Sequence, residues 1–296
     1  MKNSCTIFLI LVASVGFAQS DKLETLKSSN KDWLVSPFEQ KATITKEGQN
    51  IILNNGLVKR TFVIAPNVAC FDYTNLTNGQ QLIRSIEPEA KVVIDQITYK
   101  VGGLSGQKEK AYLQIDGIKN LQKADSDFVF SKYTIGKIEP FINWKPTTWL
   151  GNAKQPTGAR IDFEYVSPIA ALKNIIIKVH YEIYDGIPLI TKWISIQNNS
   201  NKSIKINRVV NEVLGLVEEE SAVVGKPEEM KKQHGIYVET NYAFNNAMRY
   251  DISDQTTHWK VDLAYTSQVN YNYETPCLLE IYPEKAPGID LAPNEY

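Results

Sequence analysis

The 296-residue chain carries 32 Lys and Arg against 33 Asp and Glu, a formal net charge of −1. That balance excludes a general nucleic-acid binder, which needs a basic excess against phosphates, and a polybasic membrane-surface protein. Hydrophobic residues at 43% and charged residues at 22% supply enough apolar surface for a real core, and 15 Tyr, 10 Phe and 5 Trp lean the composition toward strands.

Residues 1–18, MKNSCTIFLILVASVGFA, have the form of a signal peptide. Lys2 gives a positive start, an apolar run extends from Ile7 to Phe17, and Gly16 and Ala18 are the small residues before cleavage at Gln19. The run is too short to span a membrane, which takes ~20 apolar residues. The expectation is export to the periplasm or outside the cell, with no membrane attachment after cleavage. Cys5 leaves with this segment, so Cys70 and Cys277 remain. They either pair across a long loop or stay as two separate buried thiols, and their strand-like surroundings (VACFDY, PCLLEIY) favour the second.

Residues 19–40 are polar, with Trp33 and Phe38 the large anchors, and read as a leader or entry segment. From residue 41 the text becomes strand, turn, strand. Asn50–Leu53 and Leu57–Ile64 flank Asn54-Asn55-Gly56, which supplies the positive φ of a tight hairpin. Val68–Leu76, Gln81–Ile86 and Lys91–Ile97 follow, before Gly102-Gly103. The clearest hairpin joins Asn174–Tyr184 to Leu189–Gln197 through Asp185-Gly186. On its first strand Ile177, Val179, Tyr181 and Ile183 alternate with Lys178, His180, Glu182 and Tyr184. On its second, Ile190, Lys192, Ile194 and Ile196 alternate with Leu189, Thr191, Trp193 and Ser195. Ser203–Val217 is a further strand with a break at Asn211, and a short helix is expected at Lys226–Gln233, opened by Pro227. No fixed-period repeat speaks for a propeller or solenoid, and no βαβ alternation speaks for a parallel sheet. Long strands with one solvated face are typical of large antiparallel sheets.

Chemistry is harder to read. His180, His234 and His258 have no metal-ligand spacing, GxSxG is absent, and Gly102-Gly103-Leu104-Ser105-Gly106 lacks the Lys-Ser/Thr ending of a phosphate loop. No catalytic residue, metal or cofactor is therefore assigned. Trp144 and Trp149, in the Pro-, Gly- and Asn-rich segment FINWKPTTWLGN, are the candidate substrate-binding residues. Exposed indoles beside Asn and Lys suit stacking on a sugar, although the same pair could cap the core under a loop. Tyr265, Tyr271 and Tyr273 form a weaker cluster of that kind.

The strings NGLVKRTF (55–62), RSIEPEA (84–90), VGGL (101–104) and above all VHYEIYDGIPLI (179–190) carry a resemblance. From Ile51 onward the chain resembles the N-terminal part of α-galactosidase-like proteins related to glycoside hydrolase family 36. The resemblance implies an all-β, two-sheet antiparallel β-supersandwich over residues 41–296, of the galactose-mutarotase type. It also implies a carbohydrate partner, a galactoside among the options, and a catalytic (β/α)₈ barrel that lies beyond Tyr296 or in a separate chain. Three functions stay open: the non-catalytic N-terminal domain of such a hydrolase, a free-standing sugar mutarotase or epimerase, and a carbohydrate-binding module. Mutarotase chemistry needs a His acid and a carboxylate base facing one pocket, and His180 is on a suitable face.

Overall fold

The computed structural model describes residues 32–140, 155–217, 235–241, 256–266, 276–284 and 286–296. The signal segment, residues 19–31 of the leader and the helix expected at 226–233 lie outside the described residues. The described chain is all-β, with helix limited to two 3₁₀ turns at Ile115–Asn120 and Ala170–Leu172.

The first sheet is a meander of β1 (Thr43–Glu47), β2 (Asn50–Asn54), β3 (Val58–Val63), β4 (Ala69–Asn75) and β5 (Gln80–Gln81), in that order. The next strands are β6 (Ile83–Ser85), β7 (Ala90–Ile94) and β8 (Ile97–Val101). Then β9 (Val129–Lys137), β10 (Gly158–Val166), β11 (Ile175–Tyr184) and β12 (Ile190–Asn198) form a second sheet in the order β12-β11-β10-β9. The chain ends with β13 (Ile204–Val210), β14 (Glu212–Leu216), β15 (Thr257–Val261), β16 (Pro276–Ile281) and β17 (Pro287–Leu291). These complete a third sheet, β17-β13-β7-β8, and a fourth, β15-β16-β14-β6.

The two-sheet supersandwich expected from the resemblance is therefore corrected. Four small antiparallel sheets are arranged like the blades of a four-bladed β-propeller. Among the described residues, only the sheet of β9–β12 has strands of nine or ten residues, the length that suggested large sheets. The missing sequence period also has a physical reason. Two of the sheets are built from consecutive strands, whereas the third and fourth take strands from distant parts of the chain, so no blade-length unit repeats along the sequence.

Local chemistry explains the hairpins. Asn55 is fully buried, and its Oδ1 accepts from Leu57 N at 3.0 Å and Val58 N at 2.9 Å, while Gly56 takes φ +82°. Its Nδ2 donates to the carbonyls of Tyr184 and Ile187, each at 2.7 Å, tying the β2–β3 turn to the β11–β12 turn. Asn211 marks the break between β13 and β14, where the chain leaves the third sheet for the fourth. Its backbone N–H donates to Ile281 O and its side chain to Lys192 O, so the crossing leaves these donors satisfied. The largest core cluster draws on all four sheets, through Phe62 of β3, Ile83 of β6, Val92 of β7, Phe163 of β10, Tyr181 of β11 and Ile206 of β13. Phe62 packs tilted against Phe163 and Tyr181 with centroids 5.2 and 5.1 Å away.

Cys70 and Cys277 are both buried free thiols, so the pairing alternative is excluded in this fold. Burial pushes the Cys70 thiol up to about 12 despite the adjacent Arg60, whose Nε donates to its sulfur at 3.3 Å.

Candidate functional site on the outer face of the β9–β12 sheet

Two clusters of charge flank this sheet. The inner one is sealed. Arg60 of β3 makes a bidentate pair with Glu212 of β14, at 2.6 and 3.1 Å, and Lys192 of β12 donates to the same carboxylate at 2.7 Å. Glu89 lies 3.8 Å from Arg60, accepts from Cys70 N at 2.8 Å and takes the Tyr181 hydroxyl. The rings of Phe62, Tyr73 and Tyr181 lie within 4.9–5.3 Å of the Arg60 guanidinium carbon. Burial alone would raise the Glu212 carboxyl, but Arg60 and Lys192 outweigh it and hold the pKa at about 2. With Arg60 only 2% exposed and Lys192 6%, this cluster has no route to a dissolved ligand and serves to join sheets.

The outer cluster is open. Period-2 alternation places Arg160, Asp162 and Glu164 of β10 on the face opposite Ile161, Phe163 and Tyr165, which are fully buried. The same rule turns Lys178 and His180 of β11, and Trp193, Ser195 and Gln197 of β12, to that outer face. Register then assembles them. Asp162, His180 and Trp193 are direct cross-strand partners in one row, and Glu164, Lys178 and Ser195 make the next. The imidazole of His180 stacks on the Trp193 indole, with centroids 4.8 Å apart and planes 13° apart. The Arg160 guanidinium carbon lies 5.0 Å from the same indole.

His180 Nδ1 is 2.6 Å from Asp162 Oδ1, and Nε2 is 2.8 Å from Ser195 Oγ. Burial works against the Asp162 carboxylate, but hydrogen bonds from His180 and from Arg160 Nε (2.8 Å) win and hold its pKa below the ordinary value. Asp162 is therefore an acceptor only at neutral pH, and the proton between it and His180 belongs to Nδ1. In neutral imidazole that leaves the Nε2 lone pair facing the Ser195 hydroxyl, which donates to it. Arg160 Nη2 also approaches Nδ1 at 3.2 Å and donates to Asp162 Oδ2 at 3.2 Å, so Arg160 engages both carboxylate oxygens.

This constellation lines a pocket of about 340 Å³ formed by Arg160, Asp162, Ile176, Lys178, His180, Ser195, Gln197 and Tyr296. Its size falls in the range of small-molecule sites, ~300–1,000 Å³.

No family model matches the chain, and a search of curated proteins finds no match.

Trp144 and Trp149 lie outside the described residues, as do His234, Tyr271 and Tyr273. Tyr265 is buried, with Arg84 over its ring at 4.6 Å, and is part of the packing around the Arg84–Asp262 pair. His258 stacks on Tyr282 at 3.9 Å in the fourth sheet, away from the pocket lining. Among the described residues weighed for chemistry, His180 is the one that lines the pocket. Asp162 and Arg160 were missed because β10 was not read as a strand, although IDFEY alternates cleanly. Among the described residues no group of three or more His, Cys, Asp and Glu could hold a metal ion.

Proposed function

We propose that this is an exported carbohydrate-active protein that holds a sugar in the pocket on the outer face of β10–β12. The observation that carries the reading is the pocket's lining. Six residues with hydrogen-bonding side chains line it, Arg160, Asp162, Lys178, His180, Ser195 and Gln197, together with one aliphatic residue, Ile176, and Tyr296. A ligand matched to such a lining carries many hydroxyls and little apolar surface. The donors and acceptors stand on strands, which hold them more rigidly than loops do. The likeness of VHYEIYDGIPLI to sugar-processing proteins supports the same reading, since His180 belongs to that string. The signal-like segment at 1–18 supports export.

An open, polar site of this size suits weak binding, with a dissociation constant on the order of millimolar, about −4 kcal/mol. Affinity electrophoresis of the signal-free chain in gels cast with galactans, xylans or glucans is suited to that range. A polysaccharide that retards the chain is expected to lose its hold on a Lys178→Ala/Gln197→Ala double variant, while Trp149→Ala stays retarded. The reverse pattern would move the sugar site to the Trp144–Trp149 segment, and no retardation by any polysaccharide would reject carbohydrate recognition.

A further inference from the structure

We propose that Ser195, His180 and Asp162 form a working acyl-transfer triad, and that the chain hydrolyses small O-acyl esters, acetyl above all, carried on sugar hydroxyls. This rests on the sugar-pocket reading for the alcohol half of the ester, but the triad itself stands on its own geometry.

Three features carry it. The first is the chain of contacts, Oγ to Nε2 at 2.8 Å and Nδ1 to Oδ1 at 2.6 Å, which has the order nucleophile, base and orienting carboxylate. The second is the tautomer those contacts require: Nδ1 keeps its proton and donates it in a hydrogen bond to the Asp162 carboxylate, so the free Nε2 lone pair faces the hydroxyl that must be deprotonated. The third is support. His180 is held between Asp162, Ser195 and the Trp193 ring, and Asp162 is held by Arg160, so the imidazole is fixed in the orientation the reaction uses. No nucleophile elbow is needed, because the strand register brings Ser195 diagonally against His180.

The step balances without a cofactor. Ser195 Oγ bonds to the ester carbonyl carbon while its proton passes to His180 Nε2. The tetrahedral intermediate collapses, the carbon–oxygen bond to the sugar breaks, and Nε2 returns the proton to the departing sugar oxygen. Water then attacks the acyl-Ser195, gives its proton to Nε2 and releases the carboxylic acid, with the proton returning to Oγ. Lys178 pairs directly with Ser195 across the strands, and Gln197 follows it on the same face; both line the pocket and are the groups able to donate to the developing oxyanion. Ile176 is the aliphatic residue in the lining, so apolar contact is available for a short acyl group and not for a long chain.

The test uses the signal-free chain with a fluorophosphonate probe, 4-nitrophenyl acetate and O-acetylated xylo-oligosaccharides. The expected result is covalent labelling located at Ser195 by peptide mass spectrometry, with acetate released from the oligosaccharide. Ser195→Ala is expected to abolish labelling and to lower turnover at least ~10³-fold, and Asp162→Asn to lower it by a similar factor at neutral pH, because the wrong tautomer is then favoured. Thermal melts of both variants check that they fold. Absence of labelling at Ser195, or acetate release that survives Ser195→Ala in a folded variant, overturns the triad. Retardation by a polysaccharide without acyl transfer would leave the sugar pocket standing and remove this inference alone.

Discussion

Removing the charge of Glu212 is the sharpest test of how the sheets are joined. In Glu212→Gln the side chain keeps its shape and can still accept hydrogen bonds, but Arg60 and Lys192 lose the carboxylate both contact. The carboxyl pKa is depressed from 4.5 to about 2. At about 1.4 kcal/mol for each tenfold change in protonation equilibrium, this corresponds to roughly 3 kcal/mol favouring the ionised form in the fold. Removing one partner of a buried ion pair costs ~3–5 kcal/mol, the same order, and Glu89, 3.8 Å from Arg60, remains to offset part of it. For a chain of this size 1 kcal/mol moves Tm by ~2–4 °C, and the variant should melt roughly 10 °C lower. Scanning calorimetry or far-UV dichroism reads this directly. Glu284→Gln provides the contrast, because Glu284 is 43% exposed and its contact with Arg208 is 3.6 Å long; such surface pairs contribute ~0–1 kcal/mol. A Glu212→Gln variant melting within about 2 °C of the parent, no further shifted than Glu284→Gln, would refute the claim that this cluster holds the sheets together.

The other expectations follow from the same structure. Because the Glu212 pKa is lowered in the fold, its contribution is complete above pH 4.5 and is lost as pH falls toward 2. The parent Tm should therefore drop through that window more steeply than the Tm of Glu212→Gln, and parallel curves would show the sign to be wrong. Cys70 and Cys277 should react with iodoacetamide only after unfolding, and reductant should leave Tm unchanged; a reductant-sensitive Tm would indicate a bond between them. Gly103→Ala should cost on the order of 1–3 kcal/mol, since φ is +80° and the added Cβ would sit 2.7 Å from Pro88 Cα. Gly48→Ala, with φ +58° and no atom within 4 Å, should cost less; equal Tm shifts for the two would contradict the steric account.

Much of this fold was legible where local chemistry acts alone. The hairpin of β11 and β12 follows from alternation on both sides of Asp185-Gly186, and the β2–β3 turn from Asn55-Gly56. The break at Asn211 was visible as a polar residue inside an apolar run. Long-range pairing was not legible. β7 pairs with β13 and β6 with β14, over separations of more than a hundred residues, and a period of two says which side of a strand is buried without naming its neighbour. That is why four sheets were read as two. Arg60 and Lys192 presented the same difficulty, since a cation on an apolar face makes sense only once Glu212 and Glu89 are brought to it. The pocket fell between these cases. His180 was on the right face, but its partners come from β10 and β12, and only the register shows that Asp162 and Ser195 reach its two nitrogens.

The triad requires that His180 donate its Nδ1–H to Asp162 Oδ1 while Nε2 faces Ser195 Oγ. The chain has three histidines, so histidine-selective ¹⁵N labelling gives a spectrum simple enough to assign with a His180→Gln variant. The triad predicts that near pH 8 the His180 Nδ1 carries the proton and Nε2 has the shift of an unprotonated nitrogen. It also predicts that a polysaccharide fragment or acetylated oligosaccharide moves the His180 signals and leaves those of His258 in place. A protonated Nε2 with a bare Nδ1, or ligand shifts confined to His258, would contradict it.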